Sequence, residues 1–415
     1  MYIGGHQVFT DKAVFSESYV PSELRVRAKE ADMLFKIYYN KLFSTAGLSD
    51  ITIIYGSIGR VGIGKTTIAK YVARMIREKA SREGIKVNTA YVNLFTGPSL
   101  YSILSMIVRD AGFNITVRGS PVIDILKAIV DNLYINNSYL LVILDEFQNM
   151  LTSPRVNPED LYALLRIHEE VPSKDGVARI GFILVASDIR ALSYMRDIIP
   201  QVESQISFKL HMPAYRSHEL YEILRQRAEL GLRPGSWSDD ILMMISETYG
   251  EDRGGDGSAR RAIMALRMAG EMAEARGIGI IEPNLVRKAL SEQEASSIPV
   301  REIESLGLHE LLILKAVADA TVEGIEILTA GELRKRYELL CESYNVKPRG
   351  YTQFYNYIRL LSSTGLIESR LSGKGMRGRT TLVRLTPPIP ADRLKEVVEK
   401  AITLSMSGEG KGETQ

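Results

Sequence analysis

The chain has one cysteine, Cys341, and one tryptophan among its 415 residues. A single thiol cannot close an intrachain disulfide, and it excludes any zinc site built from several cysteines. Cys341 itself reads as a small buried helix residue. Long apolar runs are missing too. Stretches such as Leu140–Leu144 fall far short of the ~18 residues a membrane-crossing helix needs, and the opening MYIGGHQVFTDKAVF has no signal-peptide h-region. A cytoplasmic location follows. Nor is there an excess of one charge: the formal net charge is only +2. The length predicts two or three domains, and a 45% hydrophobic content supports a sizeable core.

The near balance of charge conceals a segregation. Between Gly331 and Arg384 stand eleven basic residues and four acidic ones, so this segment carries +7 and the remainder about −5. A local basic footprint of this size is what a phosphate backbone attracts.

What the sequence does possess is GRVGIGKT at Gly59–Thr66, after an apolar run, Ile51–Tyr55, and before a helical stretch, Thr67–Lys79. This is a P-loop in its required context. Gly59, Gly62, Ile63 and Gly64 would present backbone N–H groups to phosphate oxygens, and Thr67 opens the helix behind them. Lys65 would supply charge to the β and γ phosphates, and the Thr66 hydroxyl would ligate Mg²⁺. A matching acidic pair closes the strand-like Tyr139–Asp145 segment. Asp145 would hold Mg²⁺ through water, while Glu146, next in line, would polarise the attacking water. The cofactors expected are ATP or ADP with Mg²⁺.

Candidate strands at Ile51–Tyr55, Thr89–Asn93, Leu140–Leu144, Ile180–Ala186 and Ile206–His211 alternate with helical patterns such as Leu100–Ala111 and Val122–Leu133. That alternation predicts a parallel sheet covered by helices. From Ser217 to Glu294 the periodicity is helical throughout, as in a small all-helical lid, and Glu294–Ile303 reads as a linker. Helices are then expected at Leu308–Ala320, Thr329–Tyr344 and Tyr351–Thr364, with short strands at Ile367–Leu371 and Thr380–Leu385. Three helices and a hairpin make a winged helix. Its glycine-rich tip carries Lys374, Arg377 and Arg379 for phosphate contact. Arg349 in the basic turn, with Tyr351, Gln353, Tyr355 and Asn356 on the third helix, offers hydrogen-bonding groups to a major groove. Winged helices also serve as plain protein-binding modules, so topology alone leaves that reading open.

The order of these parts resembles the AAA+ replication initiators of the origin-recognition and cell-division-control type, in their compact archaeal form. The resemblance covers roughly residues 15 to 390. It is carried by Tyr19-Val-Pro21 with Leu24 and Arg27, by the P-loop, by Tyr91-Val-Asn93 and by LDEFQ at Leu144–Gln148. More specific are Met212-Pro-Ala-Tyr215 running into ELYEILRQRAE, and GSARRAIMALRMAGEMAE at Gly257–Glu274. The implied fold is an α/β P-loop AAA+ domain with a parallel sheet (1–212), an all-helical lid (213–295), a winged helix (300–390) and a C-terminal helix with a polar tail (391–415).

The resemblance implies further roles. Val20 and Pro21 would lie beside adenine, with Tyr215 and Arg227 at the nucleotide, and Arg260 would be the sensor-2 arginine reaching from the lid to the phosphates. A DNA-touching insertion of the initiators would correspond to the loop with Arg118, Gly119 and Ser120. Three departures stand out. The Tyr55–Gly64 segment is longer than usual, leaving open whether Gly56 or Gly59 makes the tight turn. Ser187 occupies the place of a sensor-1 asparagine, and a shorter hydroxyl positions water less well. Pro200–Ser207 contains no arginine to reach a neighbour, Arg196 being the nearest. A slow, switch-like ATPase is therefore expected rather than a motor. Its partners would be double-stranded origin DNA, the replicative helicase and another copy or paralogue of the initiator, at the nucleoid. A nucleotide-binding transcription regulator and a transposition helper or clamp-loader-like ATPase remain the rival readings.

Overall fold

The computed structural model describes residues 7–95, 98–151, 156–296, 303, 306–371, 380–386 and 391–409, without the side chains of 294–296, 363, 371 and 407–409. The chain divides into two compact units, Met1–Val286 and Arg287–Gln415.

The first unit is built on a parallel sheet of strands β1 (Gly47–Leu48), β2 (Ile51–Gly56), β3 (Lys86–Asn93), β4 (Ser138–Asp145), β5 (Ala178–Asp188) and β6 (Ile206–Met212). Their order is β3-β4-β5-β2-β6, with β1 paired to β5. Burial explains why β4 and β5 read as continuous apolar runs: Leu140, Leu141, Val142, Ile143 and Leu144 are covered on both faces, as are Phe182, Ile183, Leu184 and Val185. Both strands extend beyond the apolar stretches expected from sequence. Their flanking polar residues are buried with partners, Arg179 on Asp175 and Asp188 on Arg190, so the ladder continues where hydropathy falls. Strand β1 has only two residues and no periodicity to read. Its Gly47 has φ 76°, and a β-carbon there would lie 2.1 Å from the Ala178 carbonyl oxygen.

The doubly wound order brings the C-terminal ends of β4, β5 and β2 side by side, where ligands bind in open parallel sheets. Asp145 is in register with Asn93 on one side and Val185 on the other, and Asp188 with Gly56. Helix Lys65–Arg82 leaves the loop after β2, packing Ile68, Val72 and Ile76 into the core. The lid follows with helices Ser217–Gly231, Asp239–Tyr249 and Ala259–Ala275 and the start of Pro283–Ser296.

The second unit holds helices Leu308–Val322, Ala330–Ser343, Tyr351–Ser363 and Ala391–Glu409 and an antiparallel sheet of β7 (Leu328–Thr329), β8 (Ile367–Leu371) and β9 (Thr381–Leu385), in the order β7-β9-β8. This is a winged helix with an added C-terminal helix. Thr329 starts the second helix as a capping box with Glu332. Leu312, Leu333, Phe354, Ile358, Val383, Leu394 and Val398 share one core, and Cys341 is buried within it. No helix among the described residues is long and apolar enough to cross a membrane.

Candidate nucleotide site and winged-helix surface

The phosphate loop is shaped by backbone that only glycine adopts easily. Gly59, Gly62 and Gly64 all have positive φ, whereas Gly56 does not and simply ends β2. Space imposes the same choice: a β-carbon on Gly62 would lie 2.4 Å from Ser258 Oγ, and one on Gly64 2.4 Å from the Tyr215 hydroxyl oxygen. The lid therefore rests directly on the loop. The N–H of Ala259 donates to the Gly62 carbonyl at 3.0 Å, so the start of helix Ala259–Ala275 meets the loop backbone.

Loop, acids and lid line one cleft of about 660 Å³, a volume in the range of small-molecule sites. Ile63, Lys65, Thr66 and Thr67 from the loop, Asp145, Glu146 and Ser187 from the strand ends, and Pro21, Tyr215, Arg227 and Arg260 all line it. Burial pushes the Lys65 ammonium pKa down, opposed by the carboxylates of Glu146, Asp145 and Asp188. The Thr66 hydroxyl donates to Asp145 Oδ2 at 2.8 Å. Among the described residues no cluster of three His, Cys, Asp or Glu could hold a metal by itself. The Thr66 hydroxyl and the Asp145 carboxylate are hard oxygen donors that would suit a cation such as Mg²⁺.

Glu146 lies just past the end of β4 in left-handed backbone, φ 56°. That turn sends Phe147 into the core, where its N–H continues the ladder to the Val185 carbonyl at 2.9 Å. Three contacts here went unread in the sequence, although Tyr91 and Gln148 both fell within noted motifs. The Tyr91 hydroxyl donates to Asp145 Oδ2 at 2.8 Å. Gln148 Nε2 donates to Glu146 Oε2 at 2.6 Å, and Gln148 Oε1 accepts from the Ser187 N–H at 3.0 Å. Arg74, on the helix behind the P-loop, donates to the carbonyls of Val20 and Pro21.

The lid side is organised by arginines on aromatic rings. Arg227 is buried, stacks on Tyr19 at 4.4 Å and donates to the Val14 carbonyl at 2.9 Å. Burial lowers its pKa to about 10. Arg27 lies over the Tyr215 ring at 4.7 Å. Arg260 is half-exposed at the cleft, with Nε 3.6 Å from Glu17 Oε1. Arg196 is exposed outside the cleft lining, 3.8 Å from Glu203. Arg118 is exposed on the loop between helices Leu100–Asp110 and Val122–Ile135, beside Gly119, whose N–H donates to the Tyr101 hydroxyl at 3.2 Å; Ser120 closes that loop.

In the second unit, Tyr351, Gln353 and Asn356 are exposed on one side of helix Tyr351–Ser363 while Phe354 and Ile358 are buried on the other. Arg349 precedes that helix. Its N–H donates to the Tyr337 hydroxyl, 3.0 Å away, which itself lies 2.8 Å from His309 Nδ1, so a buried network fixes the basic turn. The wing residues Lys374, Arg377 and Arg379 lie outside the described residues.

A phosphate loop and an acidic pair at the ends of a parallel sheet, closed by a helical lid and followed by a winged helix, define the AAA+ class with an appended winged helix. Family models agree: an AAA domain over residues 54–195, a Cdc6 AAA+ ATPase-type lid domain over 221–291 and the CDC6 C terminal winged helix domain over 301–392. The ORC1-type DNA replication protein 2 of Aeropyrum pernix is 62% identical over 97% of this chain and 98% of its own. The structure of the Aeropyrum pernix ORC2 protein, as ADPNP-ADP complexes, matches with a TM-score of 0.79 and 60% identity, covering 96% of this chain and 100% of that one. The Aeropyrum pernix ORC1 protein, solved in complex with DNA, matches at 0.64 and 25% identity over 97% and 98%. This chain belongs to the ORC1-type (Cdc6) DNA replication initiator family.

Proposed function

We propose that this protein binds double-stranded origin DNA through its winged helix and the Arg118–Ser120 loop, helps load the replicative helicase, and uses slow ATP hydrolysis as a switch. It would act at the nucleoid, alone or with another copy or paralogue. The observation that carries the reading is the single cleft uniting Lys65, Thr66, Asp145 and Glu146 with lid residue Arg260. The relative solved with ADPNP and ADP supports nucleotide as the ligand, and the one solved with DNA supports the partner.

Bound Mg²⁺ would neutralise charge developing on the phosphates. Lys65 and the glycine loop bind and orient the β and γ phosphates, while Val20 and Pro21, tethered by Arg74, would flank adenine. Glu146 takes the proton from the attacking water, and Ser187 sits where that water would be oriented. Arg260 would report the γ phosphate to the lid, so that hydrolysis changes the angle between lid and sheet. The domain limits expected from sequence, with the lid at 213–295 and the winged helix at 300–390, are part of this proposal.

Lys65→Ala should abolish nucleotide binding; Glu146→Gln should keep ATP and stop turnover. Hydrolysis by Glu146→Gln at the wild-type rate would remove Glu146 from the chemistry. Footprinting on genomic DNA with and without ATP separates an initiator, with nucleotide-sensitive protection at an origin, from a regulator whose footprint ignores nucleotide.

A further inference from the structure

The proposed chemistry makes one demand that the P-loop and the acidic pair do not meet: Glu146 must aim a carboxylate from left-handed backbone beyond the end of its strand. Asn93 and Gln148 stand near that strand end. Asn93 Oδ1 accepts from the Phe95 N–H at 2.8 Å, within its own turn. Gln148 reaches the acid itself. Its Nε2 donates to Glu146 Oε2 at 2.6 Å and its Oε1 accepts from the Ser187 N–H at 3.0 Å.

The two partners dictate the amide's orientation, since an ionised carboxylate only accepts and a backbone N–H only donates. Reversing the amide would lose both bonds at once. One side chain thus spans the ends of adjacent strands β4 and β5 and ties the acid to the backbone of Ser187. The Ser187 hydroxyl is directed elsewhere, 3.5 Å from Asp188 Oδ2. What the sensor-1 position contributes to aiming Glu146 is therefore its backbone N–H, relayed through the glutamine amide.

We infer that Gln148 is a positioning residue for hydrolysis, holding the Glu146 carboxylate at a fixed reach from the Ser187 backbone. The inference rests on Glu146 as the base. Gln148 lies outside the cleft lining, so its loss acts on turnover and leaves nucleotide affinity almost untouched.

The test uses full-length Gln148→Met, which keeps length and volume but drops both bonds, and Gln148→Glu, which keeps an acceptor for the Ser187 N–H and sets a second carboxylate against Glu146. Single-turnover hydrolysis of ATP labelled at the γ phosphate is measured beside the ADP dissociation constant. Turnover should fall ~10 to 100-fold in Gln148→Met and further in Gln148→Glu, with ADP affinity within about 3-fold of wild type. Added to Glu146→Gln, Gln148→Met should change the residual rate less than about 2-fold, because residues acting as a unit are not additive. If Gln148→Met fails to fold, Gln148→Glu carries the same comparison. Unchanged turnover, equal loss of turnover and ADP affinity, or a full further loss in the double variant would each overturn the assignment while leaving Glu146 as base. Wild-type turnover in Glu146→Gln alone would instead remove the base and the positioning role together.

Discussion

Asp145, the carboxylate proposed for Mg²⁺, illustrates how much of such a group's orientation is set by its neighbours. Its Oδ2 accepts from both the Thr66 and the Tyr91 hydroxyls, each at 2.8 Å, and its Oδ1 accepts from the Glu146 N–H at 3.0 Å. The Tyr91 pKa is pushed up, chiefly by burial and then by the Asp145 charge, so it remains a donor throughout the neutral range. Removing that donor leaves Oδ2 held by the Thr66 hydroxyl alone. Tyr91→Phe should raise the Mg²⁺ concentration for half-maximal hydrolysis about 10-fold, the usual scale for lost outer-shell support. Nucleotide binding measured without Mg²⁺ should not change, and a matching loss there would mean that Tyr91 shapes the cleft instead. At Arg260 the expectation differs. Arg260→Ala should narrow the preference between ATP and ADP with no fall in melting temperature, since the side chain is half-exposed and its pairing with Glu17 is loose. Lower stability without nucleotide would mark a structural arginine.

At the scale of elements, the segment before the first long helix belongs to the lid. Phe9 bridges Leu232 and would collide with any β-carbon on Gly270, while Glu274 accepts from the N–H groups of Val8 and Phe9 and pairs with Lys12 at 2.7 Å. Burial raises the Glu274 pKa, but Lys12 and the two N–H groups outweigh it and hold the carboxyl below its ordinary value. Its contribution is therefore full above the unfolded value of about 4.3 and is lost as pH falls through the lower folded value. Glu274→Ala should weaken docking of the segment by about 2 kcal/mol at neutral pH, read as faster amide exchange at Val8 and Phe9 while the sheet stays protected. None of this was legible in the sequence. The glycine loop, the strands and the winged helix announce themselves through local pattern, because their residues are neighbours in the chain. Glu274, Gln148, Arg74 and Tyr91 act across strand ends or across the whole first unit, so although Tyr91, Gln148 and Glu274 stand in noted motifs, the sequence does not say what they touch. The parallel sheet was readable for the opposite reason: strands buried on both faces must be apolar throughout.

For the molecule as a whole, charge is the legible property. The +7 segment coincides with the winged helix, so binding to duplex DNA should depend steeply on salt. Each lost phosphate contact lowers the slope of log affinity against log salt by ~0.9, so replacing Lys374, Arg377 and Arg379 with alanine should flatten it by roughly 2 to 3. Gln353→Ala or Asn356→Ala should instead cost ~1 to 3 kcal/mol on the cognate site alone. An unchanged slope in the triple variant would take the wing off the DNA and favour a protein-binding winged helix. The docking of Phe9 on Gly270 carries a further consequence, for birth rather than for action. Val8 and Phe9 cannot reach Gly270 and Glu274 until about 260 more residues have been made, which at about 5–20 residues per second is roughly 13 to 50 s of synthesis. Through that interval the sheet can assemble with its own strands, but Val8 and Phe9, for want of Gly270 and Glu274, stay an incompletely buried apolar leader. Nascent chains halted before Glu274 should therefore show this leader cut by protease and held by chaperones, and chains released beyond it should not.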